Sequence, residues 1–106
     1  SNTIRSALTT WGKTLSNEVA KSNITVNNIL TGYFNTERLE QLNSEKAKKM
    51  GVKVEEVFDA MKNQVPAKRI GNPKEFGYLA TFLSSDYASY INGINIAIDG
   101  GLIKSL

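Results

Sequence analysis

Ile24-Thr25-Val26-Asn27-Asn28-Ile29-Leu30, followed by Thr31-Gly32, reads as a β-strand: a short run rich in β-branched residues, partly alternating, ended by a turn glycine. A long amphipathic segment precedes it. From Asn2 to Lys21, Ile4, Leu8, Trp11, Leu15 and Val19 recur at helical spacing and predict one continuous apolar stripe. Ser6, Ala7, Thr10 and Thr14 form a second face of small residues that admits a close helix neighbour. Helix, tight turn and strand in that order point to α/β architecture. A second strand is predicted at Ile94-Asn95-Ile96-Ala97-Ile98, followed by Asp99-Gly100-Gly101. A long helical stretch separates the two strands, so they are expected to run parallel, and parallel sheets are buried on both faces. Two strands alone do not make a stable sheet. The expectation is therefore that the chain is part of something larger, completed by further sequence or by partner chains.

Between the strands the spacing predicts three helices. Thr36 to Met50 is a charged helix with Thr36 as cap, Glu37 in the first turn and Gly51 as the stop. Val54, Val57, Phe58, Met61 and Val65 mark a short amphipathic helix. Asn72-Pro73-Lys74-Glu75 opens another, with Asn72 as cap, Pro73 at the first position and Glu75 in capping-box position. Phe76, Leu79, Ala80 and Leu83 form its apolar stripe. Residues 66–71 are a loop and residues 86–90 a turn.

Composition narrows the chemistry. The 106 residues carry 13 Lys+Arg, 10 Asp+Glu, no His and no Cys, for a net charge of +3. Without Cys there are no disulfides, thiolate metal sites or Cys nucleophiles, and without His no Ser-His-Asp triad. No metal site is expected. Lys46, Lys48 and Lys49 are the densest basic group and read as a solvated helix face, so no nucleic-acid partner is expected. No apolar run approaches the roughly 18 residues of a membrane helix, and the start lacks a signal-peptide core. The expectation is a cytoplasmic protein that contacts no membrane.

Four segments, in order, carry a family resemblance. Val26-Asn27-Asn28-Ile29-Leu30-Thr31-Gly32-Tyr33-Phe34-Asn35-Thr36 is similar to the V-N-x-x-x-P-G-x-x-x-T strand and cofactor loop of the short-chain dehydrogenase/reductase family. Arg69-Ile70-Gly71-Asn72-Pro73-Lys74-Glu75 resembles its R-x-G-x-P-x-E segment. Phe82-Leu83-Ser84-Ser85-Asp86 with Ile91-Asn92-Gly93 resembles F-L-x-S and I-x-G, and Asp99-Gly100-Gly101 its closing D-G-G. The closest branch is that of the 3-oxoacyl-acyl-carrier-protein reductases.

The resemblance implies an α/β fold, with residues 1–106 as the C-terminal part of one Rossmann-type doubly wound parallel sheet: its last two strands plus helices. Residues 37–65 would be the substrate lid. The glycine-rich dinucleotide fingerprint belongs to the other half of that family's domain and is absent here. The implied activity is NAD(P)-dependent redox chemistry on a carbonyl, such as a 3-oxoacyl group, in a longer parent, with this stretch inactive alone. The implied cofactor is NAD or NADP, the substrate a small molecule or an acyl carrier, and the assembly a homo-oligomer, dimer or tetramer.

Site residues follow by position. The family's catalytic Y-x-x-x-K falls on Ser1-Asn2-Thr3-Ile4-Arg5, so Ser1 stands at the tyrosine and Arg5 at the lysine. That tyrosine donates a proton to the carbonyl, and the lysine lowers its pKa and holds the nicotinamide ribose. A serine hydroxyl is a much weaker acid, whereas Arg5 keeps the charge and can bond ribose hydroxyls. Gly32 would bring the backbone close to the nicotinamide. The Phe34 backbone would meet the carboxamide, and the Thr36 hydroxyl the carboxamide or a phosphate. Thr31 replaces the family's proline and removes a fixed φ angle. Trp11 is expected in a core or interface, and Arg69 as a structural anchor. The Ser1 and Arg5 substitutions also admit an alternative: a catalytically silent relative serving assembly or binding.

Overall fold

The computed structural model describes residues 2–104 and, within the first helix, side chains from residue 6 onward. In chain order the elements are α1 (Asn2–Val19), a 3-10 turn (Ala20–Ser22), β1 (Asn28–Thr31), α2 (Glu37–Met50), α3 (Val54–Gln64), α4 (Pro73–Leu83), a 3-10 turn (Asp86–Ala88) and β2 (Asn95–Ile98). β1 and β2 form a two-stranded sheet. The Asn28 amide donates to the Ile94 carbonyl at 2.9 Å and the Gly32 amide to the Ile98 carbonyl at 3.1 Å. Both partners advance together along the chain, so the strands are parallel, as expected. Among the described residues no helix is long and apolar enough to cross a membrane.

The chain resolves into two compact units. The first comprises Ser1–Leu30 and Gly77–Ile96, the second Thr31–Phe76 and Ala97–Leu106.

In the first unit the strand starts later than the sequence pattern predicts. Asn23 adopts the left-handed conformation (φ 60°), and residues 24–27 stay outside the ladder. Side-chain amides take over its role there. The Val26 amide donates to Asn92 Oδ1 at 3.0 Å, the Ile94 amide donates to Asn27 Oδ1 at 3.1 Å, and Asn27 Nδ2 donates to the Ile91 carbonyl at 3.1 Å. Together with the Gly93 amide, which donates to the Val26 carbonyl at 2.8 Å, these bonds pair both backbone groups of Val26 outside the ladder.

The buried face of α1 also differs from the expected stripe. Gly12 and Ser16 are buried, whereas Leu8 is 56% and Trp11 62% exposed. A Cβ on Gly12 would lie 2.7 Å from Asn28 Nδ2, and one on Gly93 2.7 Å from Ser16 Oγ. Close backbone approach selects the side that bears Gly12 and Ser16 rather than the expected small-residue face, whose Ser6, Ala7, Thr10 and Thr14 are all exposed, and Leu15 and Val19 are half-buried at its border. Trp11 is thus no part of a core within this chain.

The second unit closes more of its own interior. Ala47 on α2 and Val57 on α3 are buried, and Val65, just after α3, is 2% exposed. Gly51 ends α2 at φ 68°. Its amide donates to the Lys48 carbonyl and the Val52 amide to the Ala47 carbonyl, a Schellman closure that reverses the chain into α3. Asp99 terminates β2: its carboxylate accepts from the Gly101 amide at 2.9 Å and the Ile103 amide at 2.7 Å.

Candidate functional site

A shallow cleft in the second unit brings together Gly32, Phe34 and Thr36 from the loop after β1, Arg38 and Leu39 from α2, and Phe76 from α4. Each element arrives for a local reason. Thr36 is the N-cap of α2: its backbone is extended and its Oγ1 accepts from the Leu39 amide at 3.2 Å. The cap uses the oxygen as acceptor and leaves the hydroxyl proton free to donate. Glu37 and Glu40 stand in the first turn of α2, where they complement the helix dipole and oppose an anion. Their charge favours a neutral amide over a phosphate as the partner of Thr36.

Gly32 is required by its own chain. A Cβ there would lie 2.6 Å from Asp99 Cβ and 2.7 Å from Asp99 Cα. The space opened by the missing side chain is therefore filled by Asp99, a pairing that motif spacing did not reveal.

Phe34 is held on both sides. The Gly71 amide donates to the Tyr33 carbonyl at 2.8 Å, and the Asn35 amide donates to the Gly71 carbonyl at 2.9 Å, an isolated parallel bridge around Phe34. The Phe34 carbonyl accepts from the Thr36 amide at 2.9 Å. The Phe34 amide donates to no acceptor among the described residues. Its ring lies edge-on to Phe76, with centroids 6.1 Å apart at 87°, and covers Gly71 closely enough that a Cβ there would come within 2.8 Å. Tyr33 donates from its hydroxyl to Gln64 Oε1 at 3.1 Å, tying the same loop to α3.

α4 starts as its sequence predicts. Asn72 Oδ1 accepts from the Lys74 amide at 2.9 Å, and Glu75 Oε1 accepts from the Asn72 amide at 3.0 Å, a capping box. Arg69 adds a two-pronged ion pair to the same carboxylate, at 2.7 and 2.9 Å. The hydrogen bond from Arg69, aided by the Asn72 amide, holds the Glu75 carboxyl down to about 2. Arg69 is thus an anchor, as expected. Its link to Phe34 through Gly71 was not legible, because nothing in the R-x-G-x-P-x-E pattern names a partner strand.

Of the residues proposed from sequence, Gly32, Phe34 and Thr36 meet in one cleft. Ser1 lies outside the described residues. Arg5 is described as a backbone position in α1, with its side chain outside the description.

Comparison with known proteins matches residues 2–103 to the family model described as enoyl-(acyl carrier protein) reductase. The chain is similar to the NADPH-dependent reductase BacG of Bacillus subtilis, with 36% identity over 103 residues covering 97% of this chain. It is similar at 32% identity over 90 residues to the 3-oxoacyl-acyl-carrier-protein reductase MabA of Mycobacterium tuberculosis, covering 85% of this chain. A solved short chain dehydrogenase family protein from Francisella tularensis superposes with a TM-score of 0.87 at 31% identity, covering 92% of this chain and 40% of the other. The chain belongs to the short-chain dehydrogenase/reductase family. It spans 40% of the length of BacG and 32% of that of MabA. Its parallel strands and helices are accordingly the C-terminal portion of the family's Rossmann-type sheet, and the four sequence segments that resembled the family lie within the matched residues.

Proposed function

We propose that this chain supplies the nicotinamide-facing part of an NAD(P)-dependent oxidoreductase that reduces a carbonyl, a 3-oxoacyl group being the preferred substrate class. The observation that carries the reading is the cleft itself. Gly32, Phe34 and Thr36 line one surface, where the Phe34 amide and the Thr36 hydroxyl proton have no other acceptor among the described residues. Two donors beside aromatic and aliphatic walls suit a planar ring that bears a carboxamide. The reading also draws on the names of the relatives: BacG is an NADPH-dependent reductase and MabA a 3-oxoacyl-acyl-carrier-protein reductase.

In this reading Phe34 and Thr36 hold the carboxamide, Gly32 keeps the turn narrow against Asp99, and Arg5 bonds the nicotinamide ribose. The bound dihydronicotinamide supplies the hydride. Ser1, at the position of the family's tyrosine, is a weak proton donor, so the carbonyl oxygen takes its proton from another acid or the protein is silent. Residues 37–65 act as the substrate lid of a single domain spanning 1–106 and further strands. The exposed Leu8, Trp11, Tyr78 and Phe82 in the first unit support assembly into a homo-oligomer of two or four chains.

The test is titration of the intact protein with NADPH and NADH, read by cofactor fluorescence. Thr36→Ser, which keeps cap and hydroxyl, retains affinity, and Thr36→Ala weakens binding about tenfold. Absence of binding by the unsubstituted protein contradicts the reading. Binding without turnover across 3-oxoacyl and simple ketone substrates selects the silent relative.

A further inference from the structure

We infer that Arg69 and Glu75 are a positioning pair for the cofactor loop, acting through Gly71. The inference rests on the reading of residues 32–36 as a nicotinamide site. Glu75 grips the chain on both sides of Gly71: two bonds from Arg69 on one flank and one from the Asn72 amide on the other. Gly71 in turn bonds Tyr33 and Asn35, the residues on either side of Phe34. The Phe34 ring closes the arrangement against Gly71 and against Phe76, the residue next to Glu75 on α4. A continuous path of direct contacts thus runs from an ion pair to the one backbone amide of the loop assigned to the ligand.

The pair is exposed, with 59% of the Arg69 side chain and 37% of the Glu75 side chain accessible. Exposed pairs add little to global stability. A two-pronged guanidinium–carboxylate contact does fix direction, because both groups are planar and meet along two parallel bonds. Its consequence is therefore local: it sets the path of residues 69–72 and with it the register of the bridge to the loop. Thr31 stands where the family's pattern has proline, so the loop lacks a fixed φ of its own and gains its order from this outside brace. When the pinned loop is only a fraction of the population, apparent affinity falls by that fraction.

The experiment compares the intact protein with Glu75→Gln, Arg69→Met and Arg69→Lys by NADPH titration and thermal unfolding. Glu75→Gln is the decisive variant, since glutamine still accepts from the Asn72 amide in the capping box but gives up the ion pair. The expected result is a dissociation constant for NADPH raised about tenfold in Glu75→Gln and Arg69→Met, with a melting midpoint within about 2 °C of the parent. Arg69→Lys, which keeps the charge, restores the constant to within about threefold. A parent that binds NADPH and a Glu75→Gln variant that binds it equally well overturn the brace and leave the nicotinamide reading standing. Affinity lost only in step with the melting midpoint also overturns it. A parent that binds neither NADPH nor NADH overturns both. Should Arg69→Met fail to fold, Glu75→Gln and Arg69→Lys decide alone.

Discussion

The two units of the chain solve the same problem in opposite ways. The unit that carries α2 and α3 buries aliphatic side chains, Ala47, Val57 and Val65, and closes its turns with a Schellman motif and an aspartate cap. The unit that carries α1 buries Ser16 and Ala88, satisfies its extended backbone with the amides of Asn27 and Asn92, and leaves Leu8 and Trp11 exposed. The former unit thus buries more aliphatic side chain, with Asn43 the one polar residue among its described buried positions, and the latter relies more on side-chain amides to satisfy its backbone. The lesson is that the residues placed at the proposed cofactor cleft, 32–36, belong to the unit with the better-closed interior, which suits a site that needs fixed geometry.

Substitutions can break that contrast. The largest effect is expected at Gly32. In Gly32→Val the new Cβ meets Asp99 Cα and Cβ, neither of which can swing aside. A loss of about 3 kcal/mol in denaturant unfolding is expected, together with loss of NADPH binding. A normal midpoint would show that the turn relaxes.

Next come two truncations that sharpen the comparison. Val65→Ala opens a void in a side chain that is 2% exposed and costs about 2 kcal/mol. Asn92→Ala strips the acceptor from the Val26 amide and the donor from the Ser16 carbonyl, at about 1.5 kcal/mol. An Asn92→Ala cost well above that of Val65→Ala would reverse the ranking of the two units.

The smallest effect is an acid limb. Glu75 titrates at about 2 in the folded protein against 4.5 as its ordinary value. A carboxyl lowered by folding stabilises fully above its unfolded value and loses that contribution as pH falls through the folded one. Because the pair is exposed, the stability gap between the parent and Glu75→Gln is expected to stay small, within the same span of about 2 °C in melting midpoint, and to close as pH falls from 4.5 towards 2. A gap independent of pH would remove the ion pair from the account.

Much of this was legible in the sequence, and the exceptions share a cause. The caps at Thr36, Gly51 and Asn72 were readable because helix ends need particular donors and acceptors within three residues. The onset of β1 was not, because the Val26 and Ile94 amides donate to the side chains of Asn92 and Asn27 instead of to ladder carbonyls. The buried face of α1 was misread for the same reason. An apolar stripe marks what a helix can bury, but the close neighbours Asn28 and Gly93 selected the side bearing Gly12 and Ser16. The cofactor loop emerged through motif order, while its attachment to Arg69 and Glu75 through Gly71 required coordinates.

Amide hydrogen exchange on the intact protein, with and without NADPH, bears most directly on the proposed role of the cleft. Addition of NADPH is expected to slow exchange at Phe34 and at the Gly71 and Asn72 amides, while amides along α2 and α3 beyond their first turns change little. Unchanged exchange at Phe34 under saturating NADPH, or protection confined to α2 and α3, would contradict the account.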